Sequence, residues 1–118
     1  MAVRPLPDDV ARALDLLLED GDSLREQVPH FRVLSRCTCG CGTADFGIDT
    51  DAVGPSPTAP SRTGVVAEAV ICTETGDCPG EVLLFARAGY LAWLEVCSWS
   101  DDDVTLADFL RGATRDLS

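Results

Sequence analysis

Cys37-Thr38-Cys39-Gly40-Cys41-Gly42 carries three thiols within five residues, the densest group of chemically competent side chains in the chain. Thiolates are ligands for soft ions, and zinc or copper is the first candidate for such a cluster. The spacing is Cys-x-Cys twice, not the commoner Cys-x2-Cys unit. Alternate residues of a straight strand share a face but lie roughly 7 Å apart at Cα, so the backbone must bend at Gly40 before the sulfurs converge. Gly40 and Gly42 permit that bend. A tetrahedral ion then lacks one ligand, and Cys78, Cys72 and His30 are the available donors. The metal site named on this reading is Cys37, Cys39, Cys41 and Cys78. The competing reading treats the thiols as compact fillers of a tight β-connection.

Other chemistry is sparser. His30 is the only histidine, so a metal or general-base role would have no second imidazole beside it, and a structural or exposed role is favoured. A Cys/His pair of Cys37 or Cys39 with His30 is conceivable, but Arg36 is the only cation adjacent to any of the cysteines. Glu68 and Glu95 fall on one predicted sheet face as a carboxylate pair, for which solvation is the usual explanation. There is no Gly-x-Ser-x-Gly elbow, phosphate-binding loop, dinucleotide fingerprint or His-Glu-x-x-His pair, so no enzyme signature is represented and no catalytic residue is named.

With 118 residues the chain is long enough for one domain, 1–118, that buries its own core without metal or disulfides. Its 20 acidic and 9 basic residues give a net charge of −11. That balance argues against nucleic acid and anionic membranes as partners, and any charged partner should be basic. No apolar run reaches the length of a membrane span, and acidic residues crowd the first thirty positions, so the expected compartment is the cytoplasm. Six cysteines are therefore expected to be reduced.

The elements that must position these groups are legible in the apolar periodicity. Asp8 is a plausible N-cap for a helix carrying Val10, Leu14, Leu17 and Leu18, and Asp20-Gly21 ends it. A helical turn at Ser23 to Glu26 stops before Pro29. Strands are predicted at Phe31 to Arg36, Ala44 to Asp49, Val65 to Thr73, Glu81 to Arg87 and Tyr90 to Trp99. The last two form a hairpin about Ala88-Gly89. Residues 50–64, rich in Gly, Pro and Ser, read as a flexible loop with the makings of a lid. Thr105 and Asp108 have capping-box spacing for a final helix bearing Leu106, Phe109 and Leu110. The fold class is α+β, an antiparallel sheet of about five strands with N-terminal and C-terminal helices packed on it, a partly rolled sheet being the alternative. In the last strand Tyr90, Ala92, Leu94 and Val96 are expected to face the core, with Leu91, Trp93, Glu95, Cys97 and Trp99 on the other side. Apolar residues on both sides predict that a helix covers the second face as well; a binding groove is the other reading.

The Cys37-Thr38-Cys39-Gly40-Cys41 cluster leading into Ala44-Asp45-Phe46, with Gly80 to Phe85 and Gly89 to Val96 downstream, resembles small uncharacterised bacterial proteins. The composition resembles that of a high-GC actinobacterium. The resemblance spans about half the chain and implies no activity, so the function classes come from the residues. The first is an acidic interaction module of immunity-like or regulatory kind, binding a basic protein through Asp101, Asp102 and Asp103 or through the face bearing Trp93 and Trp99. The second is a zinc or copper thiolate protein. An indole-bearing face could also make a homodimer.

Overall fold

The computed structural model describes residues 6–99 and 104–116, so Asp101, Asp102 and Asp103 lie outside the described residues. Helix α1 spans Asp8–Leu17 and is followed by a short 3-10 helix, Ser23–His30. Strands β1 (Phe31–Arg36), β2 (Ala44–Ile48), β3 (Gly64–Ile71), β4 (Gly80–Arg87) and β5 (Tyr90–Ser98) precede helix α2, Leu106–Asp116. The strands form one antiparallel sheet in the order β1-β2-β5-β4-β3, the α+β architecture expected from the sequence. It is open, with β1 and β3 at its edges.

Local chemistry explains the element ends. Pro7, not Asp8, occupies the cap position of α1, and Asp8 and Asp9 fall in its first turn, where the positive end of the helix dipole favours them. Asp22 caps the 3-10 helix by accepting from the Leu24 N–H at 2.9 Å. At α2 the capping box is reciprocal: Thr105 N–H donates to Asp108 Oδ2 at 2.9 Å, and Asp108 N–H donates to Thr105 Oγ1 at 3.2 Å. Ala88 and Gly89 both have positive φ, 54° and 85°, which makes the β4–β5 connection a two-residue turn of the type that matches strand twist.

One face of the sheet is the core. Ala44, Phe46, Ile71, Val82, Leu84, Leu91 and Leu94 meet Val10 and Leu14 of α1 and Leu106, Phe109 and Leu110 of α2. Leu91 is a correction to the expected alternation. Phe85 pairs with Trp93 while Ala86 pairs with Leu91, so Ala92 is an extra, bulged residue that turns Leu91 onto the core side. A second bulge at Val66 leaves Val65 on the outer face beside Phe85. The outer face is the larger correction: no described helix lies on it, and Val65, Glu68, Val70 and Arg87 are exposed there. Both helices and the 3-10 turn pack on the other side, so apolar character on both faces did not mean cover on both.

The loop predicted at 50–64 is present but ends one residue earlier, because Gly64 is the first residue of β3; it bridges the end of the sheet from β2 to β3, passing the β4–β5 turn. Ser56 N–H donates to the Gly89 carbonyl at 2.7 Å, and Ala88 N–H donates to the Arg62 carbonyl at 3.4 Å. Gln27 fastens the same turn from inside. Its amide donates to the Gly89 carbonyl and accepts from the Leu91 N–H, both at 2.8 Å, and the side chain is buried.

The expectation that all six cysteines are free is also corrected. Cys72 and Cys78 are joined as a disulfide, with Cα atoms 4.0 Å apart. Between them the chain doubles back at Gly76, where φ is 91°, and Thr73 N–H donates to the Asp77 carbonyl at 2.7 Å. The tight β3–β4 turn brings these two cysteines to each other, so Cys78 is not available as a ligand beside Cys37, Cys39 and Cys41. No helix among the described residues is long and apolar enough to cross a membrane.

Replacing the buried Gln27 by leucine leaves the Leu91 N–H without its acceptor, which costs about 2 to 3 kcal/mol. Urea unfolding of Gln27→Leu should show that loss, with an unchanged midpoint counting against the clamp.

Candidate metal centre

The loop from Cys37 to Thr43 joins β1 to β2, and backbone bonds shape it. Cys37 N–H donates to the Thr43 carbonyl at 2.9 Å, and Gly40 N–H donates back to the Cys37 carbonyl at 3.3 Å. Gly40 and Gly42 take φ of 85° and 105°, the left-handed region open to glycine. Gly42 is constrained twice over, because a Cβ there would sit 2.5 Å from Cβ of Leu106. The loop therefore runs flush against the start of α2, and the Cys41 carbonyl accepts the Leu106 N–H at 2.7 Å.

Two side chains complete the anchoring. Thr43 Oγ1 accepts the Val96 N–H at 3.0 Å, holding the loop to β5 beyond the last β2–β5 pair. Arg36 grips Asp9 through two bonds of 3.2 and 2.8 Å and donates to the Gly42 carbonyl at 3.1 Å. This guanidinium ties α1 to the loop. The cation adjacent to Cys37 in sequence is thus engaged with a carboxylate and a carbonyl.

The bend predicted at Gly40 gathers the thiols. The sulfurs of Cys37, Cys39 and Cys41 all lie within 4.8 Å of one another, and those of Cys37 and Cys39 are in contact at 2.9 Å. Cys37 and Cys39 are exposed and Cys41 is half-buried. Their environments differ accordingly. Burial pushes the Cys41 thiol up, but hydrogen bonds from the Thr43 side chain and backbone, and from Cys39 and Cys37, outweigh it and bring its pKa below the ordinary thiol value. Cys39 is pushed up to about 11, chiefly by its hydrogen bond with Cys37. Cys41 is thus more readily ionised than Cys39, and its neighbours in the loop are hydrogen-bond donors to it.

The structure adds a fourth free thiol that spacing did not nominate. Cys97 shares with Cys37, Cys39, Cys41, Thr43 and Glu95 a surface cavity of about 460 Å³. Burial first, and then the hydrogen bond to Glu95, raise its pKa. Its alternation on β5 was visible in the sequence. What was not visible is that β2 stops pairing at Ala44, which leaves the far half of β5 beside the cysteine loop.

The remaining predicted residues are placed elsewhere. His30 is exposed at the end of the 3-10 helix and is not among the ligand groups that converge. Trp93 stacks on Phe85 of β4 on the outer sheet face, with ring centroids 4.2 Å apart. Trp99 is exposed just past the end of β5, and its backbone N–H donates to the Pro79 carbonyl at 2.7 Å. Glu68 and Glu95 do share a face, as expected, on either side of Leu83.

No protein-family profile matches the chain, and no curated protein or solved structure is significantly similar to it. The chemistry of the site therefore rests on its own geometry.

Two outcomes follow from the anchoring. Thr43→Val removes the hydroxyl that favours the Cys41 thiolate, so alkylation of Cys41 at neutral pH, followed by peptide mass spectrometry, should slow relative to the unchanged protein; an unaltered rate would remove Thr43 from that role. Asp9 titrates below its ordinary value of 3.8, with the hydrogen bond to Arg36 the largest cause. Its contribution to stability is thus present above the unfolded-state pKa and lost as pH falls through the lower folded value. Both partners are about one-third exposed, so Asp9→Asn should cost no more than about 1 kcal/mol at neutral pH. That deficit should vanish in acid denaturation series, and a deficit persisting below the folded pKa would contradict the assignment.

Proposed function

We propose that the protein binds one thiophilic metal ion, Zn²⁺ or Cu⁺, through Cys37, Cys39 and Cys41. The observation that carries this reading is the convergence of three ligand atoms within 4.8 Å on a loop held by backbone and Thr43 hydrogen bonds. Zinc–thiolate bonds of about 2.3 Å set sulfurs roughly 3.8 Å apart. The Cys41 position is anchored, while the exposed Cys37 and Cys39 side chains have room to separate by roughly 1 Å from their present contact. Three thiolates satisfy a trigonal Cu⁺; for a tetrahedral Zn²⁺ the fourth donor is Cys97, which lines the same cavity, or water.

The core contains none of the three cluster cysteines, so the ion would not be what folds the chain. Metal must displace thiol protons, and the Cys39 proton is held to about pH 11 without metal. Uptake near neutral pH should therefore release protons, and apparent affinity should rise with pH.

The test is metal content by elemental analysis of protein purified without chelator or added metal. One Zn or Cu per chain is expected, lost in Cys37→Ser/Cys39→Ser/Cys41→Ser and retained in Cys72→Ser/Cys78→Ser, with circular dichroism unchanged in both. Loss in a further Cys97→Ser variant would identify the fourth ligand. Metal-free protein that also fails to take up Zn²⁺ or Cu⁺ in titration, with its four free cysteines alkylating independently of either ion, would overturn the reading.

A further inference from the structure

The outer sheet face presents three cross-strand rows. Val65, Phe85, Trp93 and Asp45 form one, Glu68, Leu83 and Glu95 the next, and Val70, Glu81 and Cys97 the third. Phe85 and Trp93 lie nearly parallel, at 10°, and the Arg87 guanidinium sits 5.4 Å from the Trp93 ring centroid. Val65 and Val70 are 45% and 53% exposed. A contiguous apolar surface of this kind, framed by charges, is what an interface core looks like before its partner arrives.

Charge decides the occupant. Glu68 and Glu95 flank Leu83 on adjacent strands, about 5 Å to either side, and Glu81 lies two residues along the same strand. The ion pairs among the described residues join Arg25, Arg36 and Arg111 to Asp9, Asp15, Asp20 and Asp108, so none of them neutralises these three glutamates. A second copy of the chain would set the same carboxylates against themselves and add another net −11. We propose that this face docks a basic amphipathic segment of a partner protein, its apolar side chains on Leu83, Phe85 and Trp93 and its Lys or Arg side chains against Glu68, Glu81 and Glu95.

This surface adjoins the thiol cavity at Glu95 and Cys97, but Glu68 and Glu81, which the test alters, are not metal ligands and do not line that cavity. The proposal places the acidic contact at Glu68, Glu81 and Glu95 of the sheet in place of Asp101, Asp102 and Asp103, with Trp93 as the aromatic anchor.

The experiment titrates the full-length protein with a synthetic amphipathic Lys/Leu peptide, reading heat and backbone amide shifts. Salt-sensitive binding with shifts centred on Val65, Glu68, Leu83, Phe85 and Trp93 is expected. Glu68→Lys/Glu81→Lys should weaken it about tenfold or more, whereas the charge-matched Glu19→Lys/Glu26→Lys, on α1's C-terminal flank and the 3-10 helix, should change it by less than about twofold. Circular dichroism of both variants verifies that they are folded. Equal weakening by the two pairs, shifts centred on the helices or the cysteine loop, absence of binding, or a homodimer in sedimentation that shields the same residues would each overturn the proposal.

Discussion

The sheet is continuous through a short seam. Only Ala44 with Leu94 and Asp45 with Trp93 pair β2 to β5, and across those two steps the β1–β2 hairpin is joined to the β3–β4–β5 meander. Two residue pairs are little to hold a register in which a slip of one would invert every side chain. The fold reinforces both ends of the seam with side-chain and backbone hydrogen bonds. At one end Thr43 accepts from Val96 and the Cys41 carbonyl accepts from Leu106. At the other, Gln27 and Ser56 hold the turn at Gly89. Buried amide and hydroxyl groups with all their partners in place are directional, and so fix register where apolar packing alone would not.

The cysteine loop is part of that reinforcement, which explains why it can carry thiols without depending on them. Its shape comes from main-chain bonds, two left-handed glycines and the close approach of α2 to Gly42. Its side chains are left free for chemistry. The thiols are differentiated by what they touch: Cys41 by Thr43, Cys39 by Cys37, and Cys97 by burial and Glu95. Arg36 takes no direct part, because Asp9 and the Gly42 carbonyl occupy it, yet through them it couples α1 to the loop.

The two faces of the sheet have different fates although their compositions overlap. Both carry Val, Leu and aromatic residues. The core face receives both helices, with Val10, Ala13 and Leu14 of α1 and Leu106, Phe109 and Leu110 of α2 buried against it. Nothing among the described residues remains to cover Leu83, Phe85 and Trp93, which are left only half-buried by stacking and by their cross-strand neighbours. The thiol cavity meets this face at Glu95 and Cys97, so the two surfaces are adjacent yet chemically distinct.

Local sequence was enough for the elements that depend on nearest neighbours. The helix around Val10 and Leu14, the hairpin about Ala88-Gly89, the Thr105/Asp108 capping box and the bend at Gly40 all follow from spacing, capping and backbone freedom within a few residues. Non-local pairing decided the rest. The bulge at Ala92 arises only when β5 is laid against β4, so the inward turn of Leu91 was not legible. The Cys72–Cys78 bond follows from how tightly the β3–β4 connection closes, and the nearness of Cys97 to the other thiols follows from where β2 ends. Side-chain periodicity tells which residues share a face of one strand; which strand lies beside it, and what covers that face, is a property of the assembled sheet.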